Sequence, residues 1–146
     1  MNQRETPDVT QDITQLCERY NVVALYVFGS QATVIWERIT SDKTAPLMAG
    51  HDVDVGVKCR SDHRLTIKNK VELAQALEAL FAVPRIDLVC LDEADPFLAA
   101  NIIRGERLYT ADTYTADEYE LYVLRRAGDL APFERARIKL ILEGQS

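Results

Sequence analysis

The chain is short of cysteine, and what it has shows no pairing pattern. Cys17, Cys59 and Cys90 are odd in number, far apart and without a CxxC spacing. That argues against a disulfide framework or a cysteine-ligated zinc centre, and leaves Cys17 and Cys90 as small buried hydrophobes. No apolar run is long enough to span a bilayer, and the first residues, MNQRETPDVTQD, carry no apolar signal segment, so a cytoplasmic protein without membrane contact is expected. A surplus of basic residues is also missing. The net charge of −6 argues against a passive duplex-binding protein, and no direct nucleic-acid contact is expected. The same charge is compatible with a basic protein partner or with a metal-bridged nucleotide. Internal repeats, low-complexity runs and linkers are absent, so the 146 residues read as one domain, 1–146.

What is present alternates helices with strands. TQDITQLCERY places Ile13, Leu16, Cys17 and Tyr20 at helical spacing. VVALYVF, Val22 to Phe28, is β-branched and aromatic and ends at Gly29, as a buried strand does. QATVIWERI suits a short helix, and SDKTAPLMAG, with Pro46 and Gly50, a loop. HDVDVGV is a second strand. A helix starting near Thr66 runs through KNKVELAQALEALF, and RIDLVCL is a third strand. PFLAANIIRG reads as a short helix stopped at Gly105, with RLYT as an edge strand. The tail, 115–143, is helical with a break expected near Gly128 and Pro132. The order predicts an α+β fold, a small mixed β-sheet flanked by helices.

The second strand carries the first chemical signal. Side chains alternate along a strand, so Asp52 and Asp54 share one face while Val53, Val55 and Val57 take the other. Asp87 interrupts the third strand in the same way, between Ile86 and Leu88. If the two strands are neighbours with their apolar faces in one core, the three aspartates converge. Two like charges about 4 Å apart repel by roughly 4 kcal/mol at an effective dielectric near 20. Either one carboxylate stays protonated or a cation neutralises the group. Hard oxygen donors without neighbouring His or Cys suit Mg²⁺ or Mn²⁺. DVD alone reads as a solvated strand face; the third aspartate shifts the balance.

FGSQA, Phe28 to Ala32, shifts it further. A buried strand ends in Gly29-Ser30 and a helix follows at once, so a glycine that lets the backbone approach a ligand adjoins a helix N-terminus and a hydroxyl. Gly-Ser by itself is a common N-cap turn. Gly-Ser followed by a DxD strand and then an Asp-bearing strand is a rarer combination, a phosphate cradle beside a metal site.

FGSQA, DVDVGV and RIDLV resemble the motifs of the polymerase-β-type nucleotidyltransferase superfamily, in particular its minimal stand-alone members. The likeness covers about 20–112, and the tail, 115–143, resembles the C-terminal helix through which such proteins meet a partner. Minimal members are commonly encoded as antitoxins beside HEPN-domain RNase toxins. The resemblance implies that Asp52 and Asp54 hold metal ions, two Mg²⁺ with Mn²⁺ as an alternative. It implies that Gly29 and Ser30 hold nucleotide phosphates, and that Asp87 completes the set as a metal ligand and base. It further implies an enzyme that moves AMP from ATP to a tyrosine of a partner HEPN toxin, within a hetero-oligomer. Two alternatives stand beside it: a small-molecule nucleotidyltransferase of the aminoglycoside-modifying kind, and an antitoxin that keeps the fold but acts by binding only.

The chain departs from the family pattern after Gly-Ser. Thr33 and Val34 stand where Arg-Gly is usual, and the DxD lies further on than the customary ten residues or so. Ser41-Asp42 falls near the usual spacing, but Thr44 occupies the second aspartate's place and Thr-Ala-Pro is no strand. The insertion, about 38–50, is an enlarged loop near the nucleotide, one that closes over the site or one that marks altered activity. Lys58, Arg60, Arg64, Lys68 and Lys70 read as a solvated basic stretch leading into a helix. His51 adjoins Asp52, and His63 sits in a polar loop with no assigned role. Trp36 and the Tyr119–Tyr122 pair read as packing or interface residues. The tail's Leu121, Leu124, Ile138, Leu140 and Ile141 suit either a partner's surface or the chain's own sheet.

Overall fold

Val22–Phe28 forms strand β1, and its unbroken apolar character follows from its place. The computed structural model, which describes residues 9–40 and 52–144, puts β1 inside a four-stranded sheet of order β3-β2-β1-β4. β2 is Val53–Cys59, β3 Ile86–Cys90 and β4 Glu106–Thr110. β1 pairs antiparallel with both β2 and β4, while β2 and β3 run parallel. The sheet is mixed, as the alternation of elements predicts, and RLYT does lie at an edge.

Helices α1 (Val9–Arg19), α2 (Ala32–Thr40) and α3 (Ile67–Phe81) cover one face. There Ile13, Cys17, Ile35, Leu73 and Leu77 close over Val27, Val53, Val55 and Val57. The other face is not simply solvated. Helices α4 (Pro96–Ile103) and α5 (Thr113–Glu143) pack on it through Ile102, Ile103, Val123 and Ala127, against Ala24, Tyr26 and Phe28. A strand covered on both faces reads as continuous apolar sequence, which is why β1 has no polar alternation. Gly56 permits the close approach of α4: a Cβ there would lie 2.4 Å from Ile102 Cγ2.

Local chemistry fixes the helix starts. Thr66 accepts from the Asn69 amide at 3.0 Å while the Asn69 side chain accepts from the Thr66 amide, a reciprocal cap for α3. Asp95 caps α4 through the Phe97 and Leu98 amides, with Pro96 at the first position. Asp112 caps α5.

Two expectations are corrected. α5 does not break at Gly128 and Pro132 but runs unbroken from Thr113 to Glu143. Proline removes only the bond to the Gly128 carbonyl, and both residues face solvent, where water replaces the lost donor. Cys90 is half-buried rather than buried, whereas Cys59 is buried. Burial pushes the Cys17 thiol up to about 12, so it is an inert hydrophobe. Among the described residues, no helix is long and apolar enough to cross a membrane.

Candidate active site

Strand pairing brings the aspartates together. β2 and β3 lie side by side in a register that sets Asp54 opposite Asp87 and Val53 opposite Ile86. The Val53 amide donates to the Arg85 carbonyl at 3.2 Å, extending the ladder to the residue before β2, Asp52. Asp52, Asp54 and Asp87 therefore share a face and an end of the sheet, beyond the part that α4 covers. Asp52 and Asp87 are each nearly half exposed, and Asp54 is intermediate.

The Gly-Ser corner reaches the same place because β1 runs antiparallel to β2. Phe28, the last residue of β1, pairs with Asp54. Gly29 follows with φ +80°, and a Cβ built there would lie 2.6 Å from Asp54 Oδ2. Glycine is needed twice over: for the left-handed backbone, and for the carboxylate packed against it. Ser30 follows in an exposed turn, after which α2 begins, its Ala32 amide donating back to the Gly29 carbonyl at 3.2 Å. Next to that turn Gln31 is the one fully buried polar side chain among the described residues.

The electrostatics match the crowding. Partial burial first, then the negative charges of Asp87 and Asp52, raise the Asp54 carboxyl above its ordinary value. The sequence reading missed the residue that answers this charge. Arg85 Nε lies 3.5 Å from Asp52 Oδ2 and 3.6 Å from Asp87 Oδ1. The signal was available: Arg85 precedes Asp87 by two residues, and strand alternation puts both on one face.

Three carboxylates have the chemistry of a hard divalent cation site. Among the described residues, however, no group of three His, Cys, Asp or Glu side chains is gathered closely enough to hold a metal ion. Donor type and strand register fit such an ion; the side chains stand open around a guanidinium instead.

Other expected residues lie elsewhere. His51 and residues 41–50 of the insertion fall outside the described residues, while Arg38 belongs to the last turn of α2 and donates to the Phe81 and Ala82 carbonyls that end α3. The basic stretch begins at the opposite end of β2, four residues and roughly 13 Å from Asp54 along the strand. Lys58 pairs there with Asp92 at 3.0 Å and Lys70 with Glu93 at 2.9 Å, so neither is a phosphate contact of the carboxylate site. Lys58 also lies 5.3 Å over the Tyr119 ring, which gives that tyrosine a packing role.

A family model described as polymerase beta nucleotidyltransferase matches residues 11–114. No curated protein sequence matches the chain. Among solved structures it is similar to a mutant of the toxin–antitoxin MntA–HpeT, with TM-score 0.68 and 18% identity over 91% of this chain and 98% of that one. A toxin–antitoxin structure with AMP-PNP gives TM-score 0.67 and 18% identity over 91% and 98%. A tri-AMPylated Shewanella oneidensis HEPN toxin in complex with MNT antitoxin gives 0.64 and 18% over 92% and 96%. At that identity the likeness is one of fold.

Proposed function

This chain belongs to the polymerase β nucleotidyltransferase family, and from that premise we propose that it is the cytoplasmic antitoxin of a toxin–antitoxin pair, transferring AMP from ATP to a tyrosine of a HEPN-domain toxin. The observation that carries the chemistry is the register of Asp54 with Asp87 beside the positive-φ corner at Gly29. The complexes of similar fold, one bearing AMP-PNP and one a tri-AMPylated HEPN toxin, support the choice of nucleotide and partner.

In the proposed step the tyrosine oxygen attacks the α-phosphorus of ATP, the bond to the β-phosphate bridging oxygen breaks, and pyrophosphate leaves. Asp87, half exposed at the end of its strand, takes the phenolic proton. The turn of Gly29 and Ser30, packed beside Asp54 and leading into the N-terminus of α2, receives the phosphates. Asp52, Asp54 and Asp87 would hold Mg²⁺ or Mn²⁺, which when bound neutralises charge on the triphosphate. The exposed apolar half of α5 meets the toxin.

Asp52→Ala with Asp54→Ala is expected to abolish labelling of the toxin by radiolabelled ATP. If the double variant labels it as fast as wild type, the mechanism is wrong. A second reading, an antitoxin that acts by binding only, is favoured by Thr33 and Val34, which stand where the family usually has Arg-Gly. Under that reading the double variant still protects cells from the toxin.

A further inference from the structure

We propose that Arg85 is a built-in counter-cation of the carboxylate site: its guanidinium bridges Asp52 and Asp87 in the resting protein and must leave before a divalent cation sits there. The inference rests on reading Asp52, Asp54 and Asp87 as a metal site.

The placement is dictated by the sheet. With Val53 opposite Ile86 and Asp54 opposite Asp87, the next step of the register sets residue 85 across from Asp52. Strand alternation aims Arg85 to the same side as Asp87. A cation is therefore directed at two of the three acidic groups by backbone geometry.

The contacts suit a removable ion. At 3.5 Å and 3.6 Å from Nε they are charge contacts, longer than the 2.7–2.9 Å of a tight guanidinium–carboxylate hydrogen bond. The Arg85 side chain is 68% exposed, so it swings into water without losing a packed environment. One positive charge divided between two carboxylates offsets part of their repulsion. An ion of charge two competes for the same oxygens and wins only after the guanidinium has moved. Arg85 thus lowers the affinity of the empty site for metal while keeping its carboxylates assembled. It is a positioning residue, acting through the aspartates.

The test is a Mn²⁺ titration without nucleotide, at constant ionic strength, following the free aqua-ion signal by electron paramagnetic resonance. Arg85→Gln and Arg85→Met are expected to bind Mn²⁺ roughly three- to ten-fold more tightly than wild type, the scale set by two partly exposed ion pairs. Arg85→Lys keeps the charge and stays within about two-fold of wild type. By linkage, Mn²⁺ raises the melting temperature of Arg85→Gln more than that of wild type. Equal or weaker binding by both neutral variants overturns the role of Arg85 and leaves the metal-site reading intact. No Mn²⁺ bound by any of the proteins, or unchanged binding by Asp52→Asn/Asp87→Asn, overturns that reading and this one together.

Discussion

Gly29 meets two demands, and a single methyl violates both. Its φ of +80° strains any L side chain, and the added Cβ would press on Asp54 Oδ2 at 2.6 Å. Gly29→Ala is expected to lower stability by about 1–3 kcal/mol, the ordinary cost of a non-glycine residue held in such backbone. Nucleotide transfer should fall by a larger factor than stability implies, because Asp54 has to move. Denaturant melts compared with labelling rates check this; a variant that keeps full transfer would show that the corner does not position the carboxylate. The trio of Asp52, Asp54 and Asp87 was legible in the sequence because alternation assigns each residue a face, and two apolar faces can share a core. Arg85 was legible by the same alternation, two residues before Asp87 in RIDLVCL, but its place across from Asp52 was hidden, because that depends on the parallel register of β3 with β2. Contact between Gly29 and Asp54 was also hidden. It depends on β1 pairing antiparallel to β2, which no local pattern encodes.

Between elements, a polar staple fixes the start of α5 to the sheet. Tyr26, fully buried on β1, donates to Glu120 Oε2 at 2.6 Å, and Arg107 of β4 reaches the same oxygen at 2.9 Å and Asp117 at 3.0 Å. Tyr26→Phe keeps the ring and removes the hydroxyl donor, leaving Glu120 with Arg107 alone. A hydrogen bond to a charged acceptor contributes roughly 1.5–3 kcal/mol, and Glu120 keeps one partner, so a loss of about 1–2 kcal/mol is expected in urea unfolding. A midpoint unchanged from wild type would mean that the staple adds nothing beyond the apolar contacts of α4 and α5. In sequence this network is invisible: the tyrosine sits in an apolar run and its partner is 94 residues away. The caps at Thr66, Asp95 and Asp112 are local by contrast, each formed within three residues of its helix start, although the sequence reading marked only the start near Thr66. The helix break expected at Gly128 and Pro132 does not occur: α5 continues through both, losing one solvent-facing bond at Pro132 while the turns on either side keep theirs.

At the scale of the whole molecule, α5 divides where the body ends. Ala116, Val123 and Ala127 are buried, and among the described residues none after Ala127 is. Ala131, Ile138 and Ile141 continue the same line after steps of four, seven and three residues, with Glu134 and Arg135 interrupting it, while Phe133, Leu140 and Leu142 stand exposed at 72%, 70% and 64%. The tail residues read as packing on the chain's own sheet or offering a surface, Leu121, Leu124, Ile138, Leu140 and Ile141, are all exposed, and it is Val123 and Ala127 that pack on the sheet. An apolar stripe with none of the described residues covering it contributes little to the monomer's stability. A chain ending at Gly128 is accordingly expected to melt within about 3 °C of the full-length protein, since surface changes cost on the order of 0.5 kcal/mol. The same shortened chain should no longer co-elute with the proposed HEPN toxin partner in size-exclusion chromatography, while binding Mn²⁺ as tightly as the full-length protein does. If the midpoint drops by about 10 °C, the distal half packs on the body after all. If the shortened chain still co-elutes, the proposed toxin partner docks on another face, and the end of α5 has no part in the proposed transfer.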